Sequence, residues 1–331
     1  MTRTIRIATR KSPLALAQTR WVAERIREHA PDVTIEEVHV VTKGDVVLDT
    51  PLAKIGGKGL FINEVEAALA DGRADLAVHS MKDVPDVLGD GFGLICVPSR
   101  EDPHDVLVSP TGIALHELKK GAIVGTSSLR RSCQLRAARP DLRFAVCRGN
   151  VGTRLGKLEE GQYDAIVLAA AGIRRLGLEV PHWTIPHDTS LPAVGQGALG
   201  IEGRLEAREL LSLLAPLEHR ATRLAVEAER AYLGRLAGSC TTPIAAYARF
   251  DDDGETRMRI DGMVGSVDGE SLLTASVDGY VDAPDHAARL QRAARMGVEL
   301  AELQLERGAA ELIAAAKATP DPYVIGPYGP H

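Results

Sequence analysis

The sequence of 331 residues has few of the features that hold a chain in a membrane or direct it out of the cell. Its longest apolar run near the middle, AIVLAAAGI at 165–173, is far shorter than the roughly 20 residues that a membrane-spanning helix needs. Charged residues stand near the N-terminus, where a signal peptide has its apolar core. The sequence therefore predicts a cytoplasmic protein without a membrane partner.

Cysteine and histidine show none of the spacings that build metal centres or disulfide frameworks. The four cysteines form no CxxC pair and the ten histidines form no HExxH motif, so we expect reduced thiols and no metal. Cys96, Cys133 and Cys147 stand in apolar strand runs or in a helix, which predicts small buried side chains. Cys240 lies in the loop AGSCTTPI, where a thiol can act as a nucleophile or an attachment point.

Charge is low overall but unevenly distributed. The net charge of −6 argues against a nucleic-acid partner. Residues 119–175, however, hold nine arginines and three lysines against four acids, a net +8, which leaves −14 for the rest. Arginine outnumbers lysine 30 to 9, a ratio that reflects either genome composition or a need for planar groups that hold carboxylates or phosphates.

Apolar strand runs alternate with amphipathic helices along most of the chain, which predicts an α/β fold with mostly parallel sheets. After the strand TIRIATR, Ser12 can cap a helix whose first turn holds Pro13. The strings LADGRADLAVHSMKD and LEEGQYDAIVLAAAG share a helix end, a glycine turn, an aspartate and a buried strand, 89 residues apart. The sequence thus predicts one βα design used twice.

Two polar crossovers, PSREDPHD (98–105) and SLPAVGQGALG (190–200), divide this pattern into lobes. Two connections between lobes predict a hinge and a ligand cleft at the carboxyl ends of the strands. The pattern changes near residue 216 to a long helix, several strands and one or two final helices. The predicted domains are an α/β lobe (1–98 and 198–216), a second α/β lobe (103–192), a small α+β domain (219–318) and a mobile tail (319–331).

Two strings in the second lobe place arginines and hydroxyls at the start of a helix. GTSSLRR (125–131) and CRGNVGTRLGKL (147–158) both have the composition of an anion site. The structural alternative is a capped helix with a solvated basic first turn. Arginine in the first turn of a helix opposes the helix dipole, so a bound polyanion would compensate two such turns.

The string AVHSMKDVP (77–85) places His79, Ser80, Lys82 and Asp83 directly after a strand, where α/β sheets keep reactive groups. Asp83 is either a general acid/base or stabiliser of a developing cation, or half of a loop ion pair with Lys82. The string GGKG (56–59) is too short for a Walker A motif and instead predicts a flexible loop that brings Lys54 and Lys58 to an anion.

The string GQGALG (195–200) matches GxGxxG, but Pro192 fits poorly in the central strand that a dinucleotide fingerprint requires. Hinge glycines, with Gln196 reaching a ligand, are the better interpretation.

As far as the loop of Cys240, the sequence resembles the porphobilinogen deaminase (hydroxymethylbilane synthase) family. The resemblance is carried by the strings quoted above, together with IRIATRKSPLALAQ, VTKGDVVLDTPLAKIGGKGLF and SLPAVGQGALGIE. The resemblance implies two doubly wound lobes like those of periplasmic binding proteins, a hinge and a small α+β C-terminal domain. It also implies a monomeric transferase of heme biosynthesis that deaminates four porphobilinogen molecules and links them head to tail. The chain would grow on a dipyrromethane primer joined to Cys240 by a thioether, and hydrolysis would release hydroxymethylbilane.

By the same resemblance, Asp83 would contact pyrrole nitrogens and stabilise the cation left when ammonia departs, with Lys82 and Arg10 as further catalytic residues. The residues aligned with cofactor contacts are Cys240, Asp83, Lys58, Ser80, Lys82, Thr126, Ser128, Arg130 and Arg131. The residues aligned with substrate contacts are Arg10, Ser12, Arg148, Arg154, Arg175 and Gln196.

The match to the family is looser around and beyond the cysteine. Relatives more often have GGCQ and VPIG there, whereas this chain has GSCTTPIAAYA, so Ser239 and Thr241 can alter the packing of the loop. Two other classes remain as alternatives. A two-lobed binding protein for a small anion would share the clefts but would not need Cys240 or Asp83, and a phosphate-handling enzyme would need a metal or nucleotide site that the sequence does not show.

Overall fold

The computed structural model describes residues 3–41, 63–85, 87–238, 242–251 and 256–319. Contacts divide the chain into two compact units, residues 1–101 with 197–223 and residues 102–196 with 224–331. The chain passes between them three times. No described helix has the length and apolar composition required to cross a membrane.

The first unit contains a five-stranded sheet in the order β2-β1-β3-β10-β4. Its strands are β1 (Arg3–Arg10), β2 (Val33–Val40), β3 (Leu76–Ser80), β4 (Phe92–Cys96) and β10 (Leu199–Arg204). Its helices are α1 (Pro13–His29), α2 (Asn63–Ala70) and α6 (Arg208–Leu214). Apolar side chains of α1 and α6 pack on one face of the sheet and those of α2 on the other, so the sheet is covered on both sides.

The second unit contains a five-stranded sheet in the order β7-β6-β8-β5-β9. Its strands are β5 (Asp105–Val108), β6 (Ile123–Gly125), β7 (Arg143–Ala145), β8 (Ala165–Ala169) and β9 (His182–Thr184). Its helices α3 (Leu129–Ala138), α4 (Val151–Glu159) and α5 (Ala170–Arg175) again cover both faces.

A smaller antiparallel sheet, β11-β12-β13, belongs to the same second unit. Its elements are α7 (Arg220–Arg235), β11 (Ile244–Phe250), β12 (Arg257–Gly265), β13 (Leu272–Tyr280), α8 (His286–Leu305) and α9 (Ala309–Ala318). Apolar residues of the three helices and the sheet form one core around the buried Tyr232. The predicted final helical stretch is two helices, because Gly308 adopts a positive φ between them.

These sheets confirm the α/β fold class with two doubly wound lobes and a small C-terminal α+β region. The prediction of mostly parallel sheets needs correction. One strand in each large sheet, β10 in the first and β5 in the second, runs antiparallel to both of its neighbours. Each of these strands follows a crossover, so the chain enters it from the other unit and in the opposite direction. The predicted boundary between the second and third domains stays a prediction.

The repeat predicted from the two glycine–aspartate strings is present in the structure. Gly72 and Gly161 both adopt a positive φ that ends a helix. Asp75 then accepts a hydrogen bond from the backbone N–H of Arg6 (2.8 Å), and Asp164 accepts one from that of Ile123 (2.7 Å). Each aspartate therefore fastens the start of its strand to the neighbouring parallel strand, β1 or β6.

The two equivalent aspartates should differ in their contribution to stability. Asp75 also forms a two-pronged ion pair with the Arg6 guanidinium, whereas Asp164 is exposed. Asp75→Ala is expected to lower the free energy of unfolding by about 1–3 kcal/mol, because it leaves backbone and guanidinium donors unsatisfied. Asp164→Ala should have the smaller effect in the same urea titration, and equal losses would contradict this interpretation.

Candidate active site

A pocket with a cavity volume of about 80 Å³ lies in the first unit and is open to solvent. The strands β1 and β3 are parallel neighbours, so their carboxyl ends lie side by side and open into it. The polar residues that line it include Arg10, Ser12, Gln18, His79, Ser80 and Asp83. The structure thus brings together four predicted site residues, Arg10, Ser12, Ser80 and Asp83, from separate parts of the sequence.

The turn between β1 and α1 forms as predicted. The side-chain oxygen of Ser12 accepts a hydrogen bond from the backbone N–H of Ala15 (3.3 Å), and Pro13 occupies the first helical turn. This cap places Arg10 and the positive end of the α1 dipole at the pocket, a setting that favours an anion.

Ser80 is oriented by a residue that the sequence did not single out. The Gln18 side chain, only 3% exposed, donates from Nε2 to the Ser80 hydroxyl oxygen (2.7 Å). Because this oxygen accepts from Gln18, the hydroxyl hydrogen can be donated to a ligand in the pocket.

Asp83 ends a 3₁₀ turn, Met81–Asp83, that follows β3. The aspartate is exposed, and across the described parts of the chain its carboxylate has neither a hydrogen bond nor an ion pair. The alternative of a loop ion pair with Lys82 is therefore not what the structure shows. An exposed carboxylate among hydrogen-bond donors suits a ligand that carries N–H groups or positive charge.

In the second unit, the loops after β6 and β7 lie next to each other. The Ser127 hydroxyl donates to the Cys147 carbonyl (2.9 Å), and Thr126 accepts from the backbone N–H of Ser128 (3.2 Å). Ser128 is the N-cap residue of α3, but its side chain makes no capping hydrogen bond. Of the predicted hydroxyls here, Thr126 is buried and Ser128 half-buried.

The second predicted anion string begins α4. Asn150 caps this helix by accepting from the backbone N–H of Thr153 (2.9 Å). Arg154, half-buried, donates from Nε to the Gly149 carbonyl (2.8 Å), which folds the loop of Arg148 against the helix. Arg175 lies in the last turn of α5, after the adjacent strand β8.

Arg130 and Arg131 share a buried carboxylate that the sequence analysis did not predict. Asp105, fully buried at the start of β5, is 2.7 Å from Arg130 Nη1 and 2.8 Å from Arg131 Nη2. Ser190 and Gln196 donate to the same carboxylate at 3.2 and 2.9 Å. We call these five residues the Asp105 cluster.

The Asp105 cluster joins both crossovers within the second unit. Burial alone raises the pKa of Asp105, but the charges and hydrogen bonds of Arg130 and Arg131 outweigh it and hold that pKa well below its usual range. The Gln196 amide also donates to the Pro103 carbonyl (2.8 Å). Gln196 therefore connects the second crossover to the first.

The basic block at 119–175 is partly neutralised in the folded chain. Besides the Asp105 cluster, Arg139 forms an ion pair with Asp141 and Arg174 forms one with Asp102. Two of the three acids lie outside the block in sequence, so counting charges along the chain overstates the positive charge offered to a ligand.

Cys96, Cys133 and Cys147 are free and fully buried, as predicted. Cys96 lies in β4 and Cys133 in α3, whereas Cys147 lies in the loop after β7 rather than in a strand. Burial raises the pKa of all three thiols, that of Cys133 to about 12, so none is a ready thiolate. The described residues hold no group of three or more His, Cys, Asp or Glu placed to bind a metal ion.

Several predicted residues lie outside the described part of the chain. They are Lys54, Lys58, Ser239, Cys240, Thr241 and residues 320–331 of the predicted tail.

Sequence reasoning missed Asp105, Glu202 and Gln18. The first two had a visible signal, a single acidic residue in the apolar strands DVLV and LGIEGR, since a buried acid needs a partner. Gln18 gave no comparable signal within the helical pattern of α1.

Taken together, the fold and the pocket define an α/β protein with two sheet–helix lobes and a polar pocket in which the Asp83 carboxylate has no partner among the described residues. Family models of porphobilinogen deaminase match two stretches, the dipyromethane cofactor binding domain at residues 5–212 and the C-terminal domain at residues 223–306. The chain belongs to the porphobilinogen deaminase family. It is a transferase of tetrapyrrole and heme biosynthesis that joins four porphobilinogen units on a dipyrromethane cofactor and releases hydroxymethylbilane.

Solved structures of other proteins resemble the chain more distantly. The Bordetella pertussis BvgS VFT2 domain is 14% identical, with 64% of this chain and 84% of that chain covered and a TM-score of 0.38. The probable amino-acid transporter binding protein ytmK of Bacillus subtilis is 11% identical, with 66% and 90% covered and a TM-score of 0.39. The periplasmic molybdate-binding protein of Azotobacter vinelandii is 12% identical, with 64% and 92% covered and a TM-score of 0.35.

Proposed function

We propose that the pocket of the first unit is where this transferase performs its chemistry, with Asp83 as the catalytic carboxylate. The observation that carries this proposal is the Asp83 carboxylate, which has no partner among the described residues and shares its pocket with Arg10, Ser12 and Ser80. A protein that only binds a small anion would not place the Asp83 carboxylate in its pocket, because the negative charge of the carboxylate repels the ligand.

The donors and acceptor of the pocket fit a pyrrole that carries acidic side chains. Arg10 and the two serine hydroxyls can bind carboxylates, and Asp83 can accept hydrogen bonds from pyrrole N–H groups. The dipyrromethane group, when bound, supplies the pyrrole end to which the first substrate unit is joined. Cys240 is proposed to attach this group through a thioether. The residues proposed to contact it are Asp83, Lys58, Ser80, Lys82, Thr126 and Ser128.

Asp83 has two tasks in this proposal. It orients pyrrole rings by accepting their N–H hydrogen bonds, and its negative charge stabilises the positive charge that develops as ammonia leaves a porphobilinogen unit. Arg10 holds a substrate carboxylate beside it, with Lys82 as a further positive charge on the same turn.

The Asp105 cluster changes how Arg130, Arg131 and Gln196 are proposed to act. Their hydrogen bonds to Asp105 fix them, so two guanidinium charges face one carboxylate and the cluster keeps a net positive charge. We assign Arg130 and Arg131 the role of attracting cofactor carboxylates through this charge, and Gln196 the role of holding the crossovers. Arg148, Arg154 and Arg175 remain the proposed substrate-carboxylate residues of the second unit.

We further propose that the protein is cytoplasmic and monomeric. Its small-molecule substrate is porphobilinogen, and it has no nucleic-acid partner. The three free, buried cysteines support a reducing compartment. A stable dimer in sedimentation analysis would contradict the proposed monomeric state.

Intact mass spectrometry of protein produced with porphobilinogen available tests the attachment site. We expect an adduct of dipyrromethane size on Cys240, absent from Cys240→Ala and retained in the matched control Cys133→Ala. Added porphobilinogen should then increase the mass in steps of one pyrrole unit. A wild-type chain with an unmodified Cys240 would contradict the proposal.

A further inference from the structure

A buried imidazole–carboxylate pair lies at the pocket and has no role in the chemistry described so far. His79 lines the pocket at the end of β3, and its Nε2 is 2.8 Å from Glu202 Oε2. His79 is only 7% exposed and Glu202 is 0% exposed. In the antiparallel register Ala77 lies opposite Glu202, so His79, two residues further on, is on the same face of the sheet.

Glu202 has little else to compensate its charge. Its second oxygen, Oε1, is buried and has no hydrogen-bond partner within the described structure. A buried carboxylate with a single polar partner is costly unless that partner shares a proton or a positive charge with it. The one hydrogen bond to Glu202 therefore fixes the orientation of the His79 ring.

The hydrogen bond to Glu202 links the tautomer of the neutral ring to the charge of the carboxyl group. When Glu202 is ionised it can only accept, so Nε2 then carries the hydrogen of this bond. Nδ1 is then the nitrogen with a lone pair, and Glu202 has no hydrogen bond to it. The other charged residues that line the pocket are Arg10 and Asp83.

We infer that His79 is a proton-accepting residue of the transferase pocket and that Glu202 is its positioning residue. The inference rests on the proposed function of this pocket. When a C–N bond of porphobilinogen breaks, ammonia leaves with the bonding electron pair, and the free α-carbon of the preceding pyrrole unit attacks the methylene carbon. That α-carbon then loses its hydrogen as a proton to Nδ1, and the C–H electrons restore the aromatic ring.

The proton balance closes within this cycle. The substrate amine enters as an ammonium group and leaves as ammonia, and the proton collected by His79 passes to ammonia, so ammonium is the product. Asp83 keeps the separate task of stabilising positive charge. One carboxylate therefore does not have to act both as counter-charge and as base.

The first test uses the tautomer of the ring and needs no turnover. In ¹⁵N-histidine-labelled protein, long-range ¹H–¹⁵N correlations assigned by signal loss in His79→Gln should show the hydrogen on Nε2. Glu202→Gln should give a mixture of tautomers, because an amide can either donate or accept. A wild-type neutral ring with its hydrogen on Nδ1 would overturn the inference.

The second test uses porphobilinogen deuterated at its free α-carbon. Positioned acid–base groups typically contribute about 10²–10⁴-fold to a rate, so we expect His79→Gln to lower kcat by about 10²-fold with a smaller change in KM. The primary isotope effect on kcat should increase in His79→Gln and in Glu202→Gln, because loss of the α-hydrogen becomes the slow step.

A similar pair on the surface provides the control. His39 Nε2 lies 2.9 Å from Glu37 Oε2 in the same unit, but this histidine is exposed. His39→Gln should leave kcat, KM and the isotope effect as in wild type. His79→Gln with wild-type kcat and isotope effect would overturn the role of His79 alone, whereas near-normal turnover of Asp83→Ala would overturn the proposed function of the pocket itself.

If His79→Gln does not fold or carries no adduct, Glu202→Gln decides the outcome. An unchanged tautomer together with an unchanged isotope effect in that variant would refute the positioning role.

Discussion

Asp83→Ala is expected to reduce turnover by about 10³-fold, a loss in the range seen when a group aimed at developing charge is removed. The carboxylate lies at the pocket rim after β3, exposed and without a partner in the described structure, so the fold does not depend on it. The loss should appear in kcat, because the charge that Asp83 compensates develops only as ammonia departs. Steady-state measurements of tetrapyrrole formation and of ammonia release follow the two products of the reaction separately.

Two controls separate catalysis from structure in this experiment. Asp83→Asn keeps the shape and one accepting oxygen but removes the charge, so it should retain substrate binding and lose most turnover. Asp90 is exposed in the loop before β4 and does not line the pocket, so Asp90→Ala should be indistinguishable from wild type. Near-normal product formation by Asp83→Ala, with thermal stability unchanged, would remove Asp83 from its proposed role.

The sequence predicted the parts of the fold that depend on local patterns. Ser12 as a helix cap, the two glycine–aspartate turns and the burial of three cysteines all follow from residues a few positions apart. The direction of β5 and β10 could not be predicted in this way, because it depends on where each crossover re-enters a sheet.

The site illustrates the same limit. Arg10 and Asp83 are separated by most of one lobe in sequence, yet parallel pairing of β1 and β3 predicts that they meet, since their strands end at one edge. The partners of Arg130 and Arg131 were not predictable by counting charges. Asp105 lies 25 residues before Arg130, and only the folded sheet shows that it takes both guanidiniums.

Asp105→Ala is expected to lower the free energy of unfolding by about 3–5 kcal/mol, the usual cost of removing one partner from a buried ion pair. Here the substitution leaves two guanidiniums, on residues 4% and 6% exposed, without their shared carboxylate. It also removes the acceptor that Ser190 and Gln196 share. The Arg139–Asp141 pair is more exposed, so Asp141→Ala should be far milder in the same denaturant titration.

The pH dependence of stability gives an independent test of the same cluster. The pKa of Asp105 is held below its usual value in the folded state, so the unfolded state takes up a proton first as pH falls. Its stabilisation is therefore complete above the ordinary pKa of about 3.9 and is lost progressively below it. The difference in unfolding free energy between wild type and Asp105→Asn should be constant from pH 7 to about 5 and shrink below about 4. A difference that grows on acidification would show that Asp105 is not the ionised centre of this cluster.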